Sequence, residues 1–347
     1  MIRSEDIRDR VRDIDEYLLD KYKESKPIEK RDWRTYEQRL MNRMKKAIKN
    51  LDPLIDEATN FEIYREQGRK PSLELKQKIM ILLLKELFGK SNRPMASMLD
   101  LFSLLSGIDI SYKTVERLYS DRAVEMAIYN LHILILKKKG VKKINACGDG
   151  TGYSLMIRKH YASIASKMKD KAKEAEKIKD TGKSKKSNKS EKSSEKKKAF
   201  VYSFKLLDLD SKMYVAYGTS LKSEKEAFDR AMGMLKNIDV TIESIRLDKY
   251  YSLPSYVDRF GEAKVYVIPR KNATLNGSWK WKDTMEDFVK NTLSYLEQYY
   301  LRNNSESGFS ADKRWFGWTV GQKREDRINT ATSCGNLWHN LLNLYSS

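Results

Sequence analysis

Four polar residues near the C-terminal end, Tyr299, Arg302, Glu306 and Lys313, stand at offsets of three, seven and fourteen positions from the first. On a continuous helix those offsets stay within roughly a 60° arc. Val289, Leu293, Leu296 and Tyr300 occupy another arc, about a third of a turn away, and are expected to pack on a sheet. The pattern predicts a long helix over residues 283–303 with a polar stripe along its flank. An isolated surface pair, Arg302 with Glu306 at i,i+4, accounts for two of the four residues and leaves Tyr299 and Lys313 without a role. Gly308 is a candidate helix breaker ahead of Lys313.

Two further carboxylates fall where strands are expected. Asp149 lies in NACGDGTGYS. The glycine spacing is GxGxG rather than the GxGxxG of a dinucleotide-binding turn, and strand-like residues follow where that motif needs a helix. An acid between glycines repels phosphate unless a cation intervenes. Small neighbours then leave room for a hydrated ion and a sugar-phosphate. The competing reading is an aspartate of a bulge or turn. Asp248 closes the strand-like SIRLD, and open α/β sheets gather ligand-binding residues at the carboxyl ends of strands. An ordinary aspartate opening a helix competes with that reading, and Asp208 and Asp210 hold similar positions.

Asp149, Asp248 and Glu306 together make an all-oxygen donor set suited to hard Mg²⁺. Two such ions stabilise the attacking and leaving oxygens of an in-line displacement at phosphorus. Composition agrees. Three histidines and two cysteines, Cys147 and Cys334, with no paired CxxC, argue against a structural zinc site and a disulfide framework. The net charge of +20 points to a polyanion, nucleic acid foremost. Residues 166–198 carry 14 lysines against 6 acids, which still leaves most of the surplus on the remainder. The apolar runs IMILLLKELF and LHILILKKKG are too short for a bilayer and contain lysines, and MIRSEDIRDR lacks an apolar signal region. A soluble cytoplasmic protein associated with the nucleoid is expected.

Along the chain, residues 1–140 read as helical. Leu40, Met44, Ile48 and Leu51 keep helical spacing, and Ser72 is a candidate N-cap for LELKQKIMILLLKELFG. Residues 94–120 have the punctuation of a helix-turn-helix, with Pro94 opening the first helix, Gly107 ending it and Ser111 capping the second. Tyr112, Lys113, Glu116 and Arg117 would then face DNA, with Val115 and Leu118 inward; a plain helical hairpin fits the same pattern. From residue 141 to 347 the order is three strands, helix, strand, helix, strand, helix, an α/β domain whose early strands are antiparallel. Residues 166–198 interrupt it as a Lys-rich insertion with too little apolar surface to order itself. Trp279 and Trp281 suit either a flipped base or the sheet core. Lys323, Arg324 and Arg327 are candidate phosphate contacts, or ordinary surface charge. Trp338, Leu341, Leu342 and Leu344 predict a last helix packed on the sheet.

The tetrad Tyr299, Arg302, Glu306, Lys313, with its Tyr-(2)-Arg-(3)-Glu-(6)-Lys spacing, resembles the signature of DDE transposases of insertion sequences in the IS4-like group. Asp149 and Asp248 on strands strengthen the resemblance, which covers about residues 143–347. It implies an RNase H-like mixed sheet flanked by helices, preceded by an all-helical DNA-binding region. It also implies Asp149, Asp248 and Glu306 as the catalytic and metal-binding triad for two Mg²⁺, with Mn²⁺ as a substitute. Tyr299, Arg302 and Lys313 would grip transposon-end phosphates or bases near the scissile bond; Lys113 and Arg117 remain DNA contacts of the helix-turn-helix reading, since no diagnostic motif of the family matches there. The implied activity is cleavage of transposon ends and joining of the 3′-OH to target DNA by a homodimer or higher assembly. A nuclease or resolvase on the same fold, and a non-catalytic DNA-binding relative, are the alternatives. Glu306 follows Asp248 by only 58 positions, which leaves no room for the large β-rich insertion many IS4-like enzymes carry there.

Overall fold

The computed structural model describes residues 2–14, 32–62, 73–89, 98–100, 103–104, 109–155 and 200–346. The N-terminal part is helical: α1 (Ser4–Asp13), α2 (Trp33–Lys49), α3 (Leu51–Ala58), α4 (Leu75–Leu87), α5 (Tyr112–Leu118) and α6 (Arg122–Lys139). Asn50 separates α2 from α3, and Ile48 is 47% exposed, so the expected apolar stripe ends in a turn rather than continuing to Leu51. Glu74 is the N-cap of α4, its side chain and that of Gln77 exchanging bonds with the backbone in a capping box. Ser72, Pro94 and Gly107, and with them the start of the proposed helix-turn-helix and the Lys-rich segment, lie outside the described residues.

Ser111 caps α5 as expected, its hydroxyl accepting from Thr114 N, and Val115 and Leu118 are buried. Glu116, however, is paired with Arg327, whose guanidinium also donates to Ser120 Oγ at 2.9 Å. Arg327 thus braces α5, and Arg324 is paired with Asp326 at 2.6 Å.

The α/β part holds β1 (Lys143–Leu155), β2 (Phe200–Asp208), β3 (Tyr214–Ser220), α7 (Glu224–Leu235), β4 (Thr241–Leu247), α8 (Pro254–Val257) and β5 (Lys264–Tyr266). After these come α9 (Trp279–Lys290), α10 (Thr292–Tyr300), α11 (Asn303–Phe316), β6 (Thr319–Val320) and α12 (Glu325–Leu344). The six-stranded sheet runs β3-β2-β1-β4-β5, with β6 beside the far end of β1. β1, β2 and β3 are antiparallel; β4 and β6 run parallel to β1, and β5 parallel to β4. The β1–β2 ladder extends to Ser154 opposite Phe200, so the chain leaves and rejoins the sheet at facing positions.

One expectation fails here. Residues 283–303 do not form a single helix: Asn291 interrupts after α9, and the chain turns again at Leu301 and Arg302 between α10 and α11. The new axis changes which residues face inward. Tyr295, Leu296 and Tyr299 are buried, whereas Leu293 is 62% exposed. Gly308 does not break α11. A Cβ there would approach Tyr214 Oη at 3.2 Å, so glycine lets the helix lie close to β3. Trp281 is buried while Trp279 is exposed. α12, with Cys334, Leu337, Trp338 and Leu341 buried, packs against α4, α6 and β3. Trp338 Nε1 donates to Leu83 O at 2.7 Å, joining the helical region to the sheet domain.

Candidate active site

Asp149 is a regular ladder residue opposite Lys205, and the irregularity in β1 lies elsewhere, at Ile144/Asn145. Strand alternation puts its carboxylate on one face of the sheet and Gly148 and Gly150 on the other. The room those glycines leave is taken by protein. A Cβ on Gly148 would press on Phe204 and Leu247, and one on Gly150 would collide with Glu224. The expectation that they open space for an ion and a sugar-phosphate is therefore corrected: they let α7 and the core close on the back of the strand. The Glu224 carboxylate under Gly150 accepts from Tyr251 Oη at 2.5 Å.

Asp248 follows β4, and its side chain accepts from Tyr250 N at 3.3 Å, so it does open a short helical turn, Lys249–Tyr251. It also faces the same centre as Asp149. Arg302 Nη1 is 2.9 Å from Asp149 Oδ2 and 3.6 Å from Asp248 Oδ1, and its Nη2 is 3.0 Å from Glu306 Oε1. One guanidinium therefore gathers three carboxylates that are far apart in sequence. Side-chain exposure rises across the group, from 13% at Asp149 to 58% at Glu306, so the centre is closed on the sheet side and open on the helix side.

Burial pushes the Asp149 carboxyl up to about 6; the Arg302 guanidinium opposes this, and the nearby Asp248 and Glu306 add to it. Tyr299 is buried beneath the cluster, its phenol pushed up to about 12 by burial, with the Arg302 guanidinium 5.9 Å from its ring centre. Lys313 lies further along α11, its ammonium 4.9 Å from the Trp318 ring centre and 5.5 Å from that of Tyr153. Burial holds it below the usual lysine range, and Lys205 acts in the same direction. Lys113 and Arg117 are exposed on α5.

A set of carboxylate oxygens, charged in excess of the single guanidinium among them, suits a hard divalent cation. Among the described residues, no three His, Cys, Asp or Glu side chains lie close enough to hold an ion as they stand. The guanidinium fills the space between them.

A second polar group, unforeseen in the sequence, fixes α11. Asp312 accepts from Lys205 Nζ at 2.9 Å, Tyr214 Oη at 2.7 Å and His339 Nδ1 at 2.6 Å. His339 Nε2 donates to Lys212 O at 2.8 Å. The only signals were a lysine inside an apolar strand, FVYSFKLLD, and an aspartate beside Lys313.

No family model matches this chain, and no solved structure matches it. No helix among the described residues is long and apolar enough to cross a membrane. One curated protein of Archaeoglobus fulgidus, described as "Probable transposase for insertion sequence element ISA1214", is 41% identical over 300 residues, which cover 86% of this chain and 84% of that protein. At that identity over most of both lengths, the chain belongs to the family of insertion-sequence transposases that the archaeal protein represents.

Proposed function

We propose that this chain is a DDE-type DNA transposase of the IS4-like group, cleaving transposon ends and joining the freed 3′-OH to target DNA. The observation that carries the reading is the convergence of Asp149, Asp248 and Glu306 on one centre. The kinship with an insertion-sequence transposase and the strand order 3-2-1-4-5, the arrangement expected of an RNase H-like domain, support it. Asp149, Asp248 and Glu306 would hold two Mg²⁺, or Mn²⁺ in their place. Held there, such ions would supply Lewis acidity for the activation of a water or 3′-hydroxyl and for the charge on the leaving oxygen.

The chain's own residues supply position. β1 and β4 fix Asp149 and Asp248 on the rigid sheet, while α11 brings Glu306 from the open side. Lys313, further along α11, would meet a phosphate flanking the scissile bond, while Arg302 stands among the three carboxylates with Tyr299 beneath it. Lys113 and Arg117, exposed on α5, would meet the phosphate backbone of double-stranded DNA. Terminal inverted repeats and target DNA are the partners, and because two ends must be held together, the working form is a dimer or larger. Such an enzyme works in the cytoplasm at the nucleoid.

The test is strand transfer of a labelled, pre-cut end into supercoiled plasmid with Mg²⁺ or Mn²⁺, comparing wild type with Asp149→Asn, Asp248→Asn and Glu306→Gln. Joined product from wild type alone is expected. Cleavage without joining would indicate a nuclease or resolvase, and binding without chemistry by all four proteins a DNA-binding relative.

A further inference from the structure

We propose that Arg302 serves as the internal cation of the carboxylate centre: it holds Asp149, Asp248 and Glu306 together in the metal-free protein and competes with a divalent ion for them. Exchange for the ion releases the guanidinium toward the substrate phosphate. The inference rests on the reading of these three residues as metal ligands.

Geometry supplies the first argument. Two terminal nitrogens of one side chain reach all three carboxylates, at 2.9, 3.6 and 3.0 Å. A carboxylate–Mg²⁺ bond is only about 2.0–2.1 Å long, and the ion is far smaller than a guanidinium. The acids are accordingly too far apart to hold an ion as they stand. They can close on one only if the fork between them withdraws.

The second argument is charge. A single positive charge faces three acidic groups, so the cluster is under-neutralised with Arg302 in place. A divalent ion neutralises it better, which gives the exchange its direction.

The third argument concerns freedom to move. Arg302 belongs to neither helix; it occupies the turn between Tyr300, the last residue of α10, and Asn303, the first of α11. Its unbranched side chain can swing without unwinding either one. Its Nε is buried without a hydrogen-bond partner, so the inward position leaves a donor unused. A phosphate offers the bidentate acceptor that the planar guanidinium matches best.

The test is Mn²⁺ binding by the full chain without DNA, followed by electron paramagnetic resonance and by the shift in thermal midpoint. Arg302→Met should bind Mn²⁺ more tightly than wild type, by on the order of tenfold, which corresponds to about 1.4 kcal/mol. Its metal-free midpoint should be lower, with a larger rise on adding Mn²⁺. Glu306→Gln should weaken binding, tying the signal to this cluster. Arg302→Met that binds Mn²⁺ no more tightly than wild type overturns the exchange while leaving the metal centre intact. Wild type and Arg302→Met that both fail to bind Mn²⁺ overturn the exchange and the metal-centre reading together. Should Arg302→Met not fold, Arg302→Lys decides: a point charge that cannot bridge three acids should bind Mn²⁺ more tightly than wild type, and equal or weaker binding overturns the proposal.

Discussion

Lys205 Nζ lies 2.9 Å from Asp312 Oδ2, with the two side chains 2% and 6% exposed. This buried pair ties the middle of β2 to α11, six residues past Glu306. It therefore fixes the height of the helix that delivers the third carboxylate to the sheet. Replacing Lys205 by Met leaves Asp312 with its bonds to Tyr214 and His339 but removes the buried ammonium beside it. Since breaking one side of a buried pair typically costs about 3–5 kcal/mol, Lys205→Met should lower the urea midpoint substantially. Joining should fall along with it, even at temperatures where the variant remains folded.

The environment of Asp149 makes a pH-dependent difference between wild type and Asp149→Asn. The folded-state pKa, about 6, lies above the ordinary value of 3.8. The folded protein therefore holds that proton more tightly than the unfolded chain does. Stability is lost as pH rises from about 4 to 6 and stays lost above that range. Asparagine carries no such penalty. In chelator, Asp149→Asn should be more stable than wild type at pH 7.5, by on the order of 1–2 kcal/mol, and should lose the advantage near pH 4. Thermal unfolding of both proteins across that range reads it directly.

Gly150 and Glu224 should be energetically coupled. A methyl at 150 collides with the Glu224 carboxylate, which in turn accepts from Tyr251. Gly150→Ala is expected to cost about 1–3 kcal/mol. Glu224→Ala should cost roughly 1 kcal/mol for the lost bond. Combined, they should cost less than the sum, with a coupling of roughly 0.5–2 kcal/mol in a double-mutant cycle of denaturant unfolding.

Lys113 and Arg117 should act through phosphate charge alone. Each replaced by Ala should reduce the slope of log K against log salt by about 0.9 for a bound end. Joining at saturating protein should be retained. An unchanged slope for both would place the DNA away from α5.

The order of strands and helices along the chain was legible because each strand carries its own local signal, an apolar run or alternation bounded by turn residues, and because Ser111 caps its helix as its position implies. The three carboxylates were singled out as a set by the resemblance rather than by position, since Asp208 and Asp210 sit at a strand end as Asp248 does. The break at residue 291 was not legible. No proline or glycine marks it; Asn291 bonds the side chain of Asp287 and Thr292 bonds Phe288 O, satisfying the helix end from within. A stripe computed on one straight axis consequently grouped Leu293 with the core. The Lys205–Asp312–His339–Tyr214 group was hidden for a different reason. Its members come from four elements, and a one-dimensional pattern shows a lysine in a strand without showing what neutralises it. The glycines around Asp149 misled in direction rather than importance: their missing side chains serve the reverse side of the sheet.

The facing positions of Ser154 and Phe200, where the chain departs from β1 and returns to β2, have a consequence for how this protein tolerates change. Whatever joins two ladder partners is closed by the ladder itself. Doubling its length adds only about 0.6 kcal/mol of closure entropy and shifts no register. Chain inserted between Leu155 and Phe200 is therefore expected to leave the sheet undisturbed. An experimenter can graft a reporter between those two positions, while Asp149, five positions upstream of Ser154 in β1, stays where the sheet puts it.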